Sequence, residues 1–193
     1  MTADIEKSYR DHYIRHFGKP DSVSSFEEGE GTPPIHIIGF DNVLDGCRTF
    51  FSLGLTNYRK EVARTVEVYA PASNGLEIIP TIVANVLYFL IQQNMQIGIG
   101  QSIMFDSAFP DFVNEYSKTS LYFTMGGFLP DETTEIQTEE GLGNLFSAIF
   151  ITPDEHRYFI DCGIEAFETI LEKRLKKPFD IARPSVMLGS DFS

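Results

Sequence analysis

The sequence predicts an α+β fold, a mixed and mainly antiparallel sheet packed by helices, in a single domain over residues 1–193. Three segments carry that prediction. Residues 49–71 hold an apolar run, Phe50, Phe51, Leu53 and Leu55, closed by Gly54 and Thr56, after which Arg64, Val66, Val68 and Ala70 alternate with Thr65, Glu67 and Tyr69. Period two with β-branched and aromatic residues marks a strand with two unlike faces. The stretch therefore reads as two strands joined by a solvated connection over residues 57–61. Residues 78–93 are apolar on most sides, as in a buried helix, and Pro80 fits its first turn, where a missing N–H costs nothing. Thr152, Pro153 and Glu155 match a capping box at the start of a C-terminal helix.

The remaining elements follow in chain order. Ile5, Tyr9, Tyr13 and Phe17 recur every four residues and predict a helix over 3–17, ended by Gly18 and Pro20. Residues 21–34, rich in Ser, Gly, Glu and Pro, read as an exposed loop. A short strand over 35–40 and a turn at Asp45-Gly46 lead into the strand near Arg48, which makes a hairpin. Gly98 and Gly100 suggest a turn into a strand before Phe105, and 120–124 and 145–151 read as further strands. Between these two strands, 126–143 is acidic and glycine-containing and is expected to be a long exposed loop. The C-terminal helix carries an apolar stripe of Ile160, Ile164, Phe167, Leu171 and Leu175. Its basic end, Lys173, Arg174, Lys176 and Lys177, complements the helix dipole, and Pro178 stops it. Residues 180–193 form a tail, strand-like near 185–188.

Composition bounds the class. With 42% hydrophobic and 22% charged residues, 17 Phe, 8 Tyr and no Trp, the chain can bury an aromatic-rich core without staples. Its two cysteines, Cys47 and Cys162, are too few for a disulfide framework. The N-terminus lacks a basic segment followed by an apolar one, and the apolar stretch 78–91 is short of the ~20 residues that span a bilayer. A cytoplasmic protein without membrane contact is the expectation. Net charge is −13, and residues 106–168 hold thirteen acids against two bases, Lys118 and Arg157. Such a field repels nucleic acid and attracts basic partners.

A search for chemistry finds little. His12 and His16 have chelating spacing but no accompanying glutamate motif, and read as a surface pair. Asp154, Glu155 and His156 are consecutive and point in different directions on a helix. Gly98-Ile99-Gly100 and Gly141-Leu142-Gly143 lack the frames of phosphate or dinucleotide loops. No nucleophile motif occurs, so no catalytic residue, metal ligand or cofactor is expected, and the chain reads as a non-enzyme.

Several segments in order resemble one family: residues 13–20 (YIRHFGKP), 52–56 followed by Arg64-Thr65-Val66-Glu67-Val68, 150–155 (FITPDE) leading into 161–171 (DCGIEAFETIL), and 180–186 (DIARPSV). Together they resemble the suppressor-of-fused (SUFU) domain family, at the length of its short bacterial members and without its usual tryptophans. The resemblance implies a fold without known enzymatic activity that works by binding another protein. It is similar to Bacillus antitoxins, immunity proteins that neutralise polymorphic toxins carrying an LXG secretion domain and a C-terminal nuclease. Thr56, Arg64, Glu67, Thr152 and Glu155 are then structural. The expected partner surface is acidic: first Asp131, Glu132, Glu135, Glu139 and Glu140, then Asp161, Glu165, Glu168 and Glu172. The alternative is an adaptor or regulatory binding module with no toxin partner.

Overall fold

Alternating side chains on one mixed sheet divide the core in two. The computed structural model describes residues 2–44, 46–73, 76–125, 128–174 and 179–188. Its strands are β1 (Ser22–Phe26), β2 (Ile35–Leu44), β3 (Cys47–Leu53), β4 (Val66–Ser73), β5 (Gln101–Met104), β6 (Ser120–Met125), β7 (Glu135–Thr138) and β8 (Gly141–Ile151). They lie in the order β1-β2-β3-β4-β8-β6-β5, with β7 paired to β8 off that path. The β4–β8 pair is parallel and the others are antiparallel. This is the expected mixed, mainly antiparallel α+β fold. The helices are α1 (Thr2–Phe17), α2 (Ile79–Gln92), α3 (Pro110–Tyr116), α4 (Asp131–Thr134), α5 (Pro153–Cys162) and α6 (Ile164–Arg174).

On one face Ile35, Ile37, Phe50, Val66, Val68, Leu121, Phe123 and Phe146 pack with α2. On the other, Ile38, Phe40, Phe51, Leu53, Tyr69 and Leu145 pack with Ile5, Tyr9 and Tyr13 of α1. Beside them Tyr122, Ile149 and Ile151 pack with Phe167 and Leu171 of α6. Both faces of β4 are thus covered, and its polar alternation, Glu67 included, lies inside the protein.

Glu67 is fully buried without a cation among its hydrogen-bond partners. Its carboxylate accepts from Gly54 N (2.9 Å), Thr56 N (3.0 Å), Leu55 N (3.3 Å) and Ser52 Oγ (2.5 Å), while Ser52 Oγ accepts from Val68 N. These bonds fold the exit of β3 into a 3-10 turn, Leu55–Tyr58. Gly54 enters that turn at φ 110°, and a Cβ there would meet Pro34 O at 2.5 Å, so glycine is required. The expected solvated connection over 57–61 is solvated only in part: Lys60 is exposed and Asn57, Arg59 and Glu61 are half-buried, but Tyr58 is turned inward and buried, and Leu55, Thr56 and Val62 on either side are buried with it.

A second buried carboxylate, Glu155, joins three separate segments. Thr152 and Glu155 form a reciprocal capping box at α5, with Thr152 N bonded to Glu155 Oε2 at 2.9 Å. The same carboxylate takes a two-pronged contact from Arg183 (2.6 and 3.0 Å) and a bond from Val186 N (2.8 Å). Arg183 also donates to Phe150 O, and Lys118 Nζ donates to Arg183 O at 2.7 Å. Burial first, and then Arg183, push the Lys118 ammonium down to about 8. The 180–188 segment is tied down by these contacts, and its strand-like end is instead a 3-10 turn, Val186–Leu188.

Other expectations are corrected. Residues 21–34 are not all loop, because 22–26 pair with the free side of β2, a backbone contact that no apolar pattern announces. Within 126–143, α4, β7 and the start of β8 replace the long loop. The C-terminal helix is broken at Gly163, whose φ 84° and ψ 177° leave helical space, so α5 and α6 have different axes. The stripe fails at that break: Phe167 and Leu171 are buried, but Ile160 and Ile164 are 64% and 41% exposed. Leu175, Lys176, Lys177 and Pro178 lie outside the described residues. The sequence pattern gave no element for 106–119, where α3 turns Phe112 into an aromatic group with Phe105 and Phe150.

Two outcomes follow from the buried carboxylates. Arg183→Met strands Glu155 without its cation and lowers unfolding free energy by about 3–5 kcal/mol, and Glu155→Gln added to it recovers part of the loss, both read by urea denaturation. Desolvation raises Glu67 from 4.5 to about 6, against the pull of its hydrogen bonds. A carboxyl raised on folding contributes stability that is full below about pH 4.5 and lost as pH rises through about 6. Relative to Glu67→Gln, the native chain should therefore lose about 2 kcal/mol between pH 4.5 and 7, and a constant difference across that window contradicts the assignment.

Candidate partner-binding surface

The acids expected first fall on one small unit, α4 followed by the β7–β8 hairpin. Its local chemistry is self-contained. Thr133 N and Oγ1 both donate to Pro130 O, and Thr134 Oγ1 donates to Asp131 O. Along β7, Glu135 and Gln137 are exposed while Ile136 and Thr138 are buried, the period-two pattern of a half-covered strand. Thr138 Oγ1 donates to Gly141 O across the Glu139-Glu140 turn, and Gly141 adopts φ 120°. The apolar side of this unit is fixed to the core through Leu129 and Ile136, which pack with α1 and β8.

Asp131, Glu132, Glu135, Glu139 and Glu140 are all exposed. Asp131, Glu132 and Glu135 converge on one open cleft of about 590 Å³, whose other lining residues include Met125, Asn144 and Leu145. Glu140 is held apart from them by an ion pair with Arg59 at 3.1 Å. The cleft is lined by acidic residues together with the apolar Met125 and Leu145, which suits a cationic side chain with an aliphatic stem.

The second group does not form one row. Asp161 belongs to α5, while Glu165, Glu168 and Glu172 belong to α6 across the Gly163 break. Glu165 and Glu172 are exposed, but Glu168 is half-buried and accepts from Tyr122 Oη (3.1 Å) and Thr124 Oγ1 (2.8 Å). Glu168 braces α6 against the sheet and is not available to a partner in the way its neighbours are. Arg64 does not pair with Glu67; it is exposed, with its guanidinium 5.7 Å from the centre of the Phe146 ring.

His12 was missed as a positioning residue. It is not a surface histidine: it is 7% exposed, and its Nε2 lies 3.0 Å from Thr133 O, so Nε2–H donates and α1 is tied to α4. Its ring stands 4.4 Å from that of His16. The spacing of four residues is the visible signal, and the expected surface pair is corrected at His12, which is buried against α4. Among the described residues no cluster of three or more His, Cys, Asp or Glu side chains is arranged to hold a metal. Cys47 is buried and Cys162 is exposed. No described helix is long and apolar enough to cross a membrane.

No protein-family model matches the sequence, and comparison with curated proteins finds no match. Solved structures do match. A SUFU homolog from Neisseria gonorrhoeae superposes with TM-score 0.76 at 15% identity, covering 97% of this chain and 100% of the other. The Sufu–Fu complex gives 0.68 at 14% identity over 94% and 91%, and Drosophila Suppressor of Fused 0.64 at 15% over 96% and 51%. The chain has a SUFU-like fold.

Burial lowers the His12 pKa below its ordinary 6.5, an effect the Thr133 carbonyl partly opposes and His16 and Arg15 reinforce. The stability that neutral His12 lends to α4 is present above about pH 6.5 and lost as pH falls below it. Amide exchange over 131–138, corrected for its intrinsic pH dependence, should accelerate between pH 7 and 5.5, and His12→Phe should remove that pH dependence.

Proposed function

We propose that this chain is a protein-binding module, and more narrowly an immunity protein that neutralises a cognate nuclease toxin. The observation that carries the reading is the convergence of Asp131, Glu132 and Glu135 on one cleft of a unit anchored to the core, in a chain of net charge −13. A nuclease binds a polyanion and so presents a basic cleft. An acidic unit that enters such a cleft displaces substrate by occupying its electrostatic site, and charge complementarity speeds the encounter. The SUFU-like fold supports protein binding as the mode of action, since one of the similar structures is the Sufu–Fu complex. In this reading the toxin carries an LXG secretion domain and a C-terminal nuclease, and the chain acts in the cytoplasm without cofactor or catalysis. The same Sufu–Fu complex favours a second reading, an adaptor that binds a protein other than a toxin.

A nuclease toxin gene should neighbour the gene for this chain, and cells expressing that nuclease should survive when the chain is co-expressed. With the purified pair, Asp131→Lys, Glu132→Lys, Glu135→Lys and Glu139→Lys combined should slow association about ten- to a hundredfold and flatten its salt dependence. Neutralisation and salt dependence left unchanged by the four substitutions would sink this surface. Capture of a non-toxin regulator without protection from any nuclease would decide for the adaptor.

A further inference from the structure

Among the described residues the sheet ends on β1, an edge without a charged residue, a proline or a bulge in the strand. β1 reads Ser22-Val23-Ser24-Ser25-Phe26, with no charge and no proline. Its register with β2 is unbroken from Ser22↔Gly39 to Phe26↔Ile35, so no bulge twists it away. No described strand lies beyond it. Natural edge strands are ordinarily blunted by lysine, proline, bulges or a covering element, because their unpaired N–H and C=O groups accept any extended chain. Val23 is 59% exposed on the face it shares with Ile38. The C-terminal end of the strand is anchored, since Tyr88 Oη donates to Phe26 O at 2.6 Å and accepts from Ile35 N. The opposite edge differs: Ile164 of α6 lies against Gly100 beside β5, and Ser102 is bonded to His156 of α5 at 2.9 Å.

Charge selects what could pair with β1. Residues 19–30 hold four carboxylates, Asp21, Glu27, Glu28 and Glu30, against one base, Lys19. Nearby, Arg48 is already engaged by Asp41 at 2.6 Å. A second copy laid along β1 would double this negative segment in a chain that is already strongly anionic. An extended segment bearing lysine or arginine neutralises it, while its backbone completes the ladder and an alternate side chain covers Val23. We propose that β1 receives an extended basic segment of a partner protein as an added strand. This surface does not depend on the toxin reading.

The test uses the full chain and a capped synthetic decapeptide alternating lysine with valine or threonine, with its glutamate-for-lysine counterpart as control. The lysine peptide should slow amide exchange within 22–26 and bind at least about tenfold more weakly to Glu27→Lys/Glu28→Lys/Glu30→Lys and to Val23→Lys. The fourfold lysine variant of the β7 region should bind it normally, which separates this surface from the acidic unit. Four results would each overturn the proposal: exchange over 22–26 indifferent to the peptide, equal binding of the glutamate peptide, loss confined to the β7-region variant, or concentration-dependent protection of β1 without peptide, which would make a second copy the occupant.

Discussion

The Glu67 carboxylate is the constraint on which the rest of the molecule hangs. Three backbone N–H groups and a serine hydroxyl converge on it from the exit of β3. A buried carboxylate without those donors would be intolerable, and those N–H groups without an acceptor would be nearly as costly. The arrangement fixes where β3 ends, how the 3-10 turn folds inward, and hence how β4 lies beside β3. The neighbouring backbone then receives α1: Tyr13 Oη donates to Ser52 O at 2.9 Å, and Tyr9 Oη donates to Asn144 O at 3.1 Å. Through Tyr9 the helix reaches β8, where Gly143 leaves room for the phenol that a Cβ would strike at 2.4 Å. Through His12 it reaches α4. A carboxylate with no visible chemistry thus governs the placement of the acidic unit.

Glu155 solves the same problem differently. Both carboxylates collect backbone N–H groups where the chain changes direction, but Glu155 is also neutralised by Arg183. The pairing gathers the end of β8, the start of α5 and the 180–188 segment around one charge. Lys118 adds a second buried cation by donating to the Arg183 carbonyl. A buried ion pair is weak evidence for net stability. Here it determines where a segment with little periodicity of its own lies.

What the sequence made legible was what is local or periodic. The capping box is four consecutive residues, and the alternation of 64–70 is an unbroken period, so both could be read directly. β1 and β7 could not, because each is short, polar and defined by the strand it borders. The stripe Ile160–Leu171 continued at helical spacing straight through Gly163, and pattern alone does not register a left-handed φ in its middle. Arg183 and Glu155 are 28 residues apart in sequence, beyond the reach of any local signal. Charge counting found the acidic window but not the division within it. Asp131, Glu132 and Glu135 stand free around a cleft, Glu168 is spent on Tyr122 and Thr124, and Glu155 is inside the core.

That division bears on the proposed partner surface. Asp131, Glu132 and Glu135 crowd like charges onto one short unit, which on its own would open or fray through repulsion. Opposing that, Ile136 and Thr138 are buried beneath it, β7 is laddered to β8, and His12 donates to the Thr133 carbonyl. The fold thus holds a repulsive cluster in place before any partner arrives. A cationic partner then gains the relief of that repulsion in addition to its own attraction, without the cost of ordering the loop. An acidic surface serving solubility alone would need no such restraint, since charges dispersed on mobile side chains do that work equally well. It is the rigidity beneath these carboxylates, more than their number, that favours recognition.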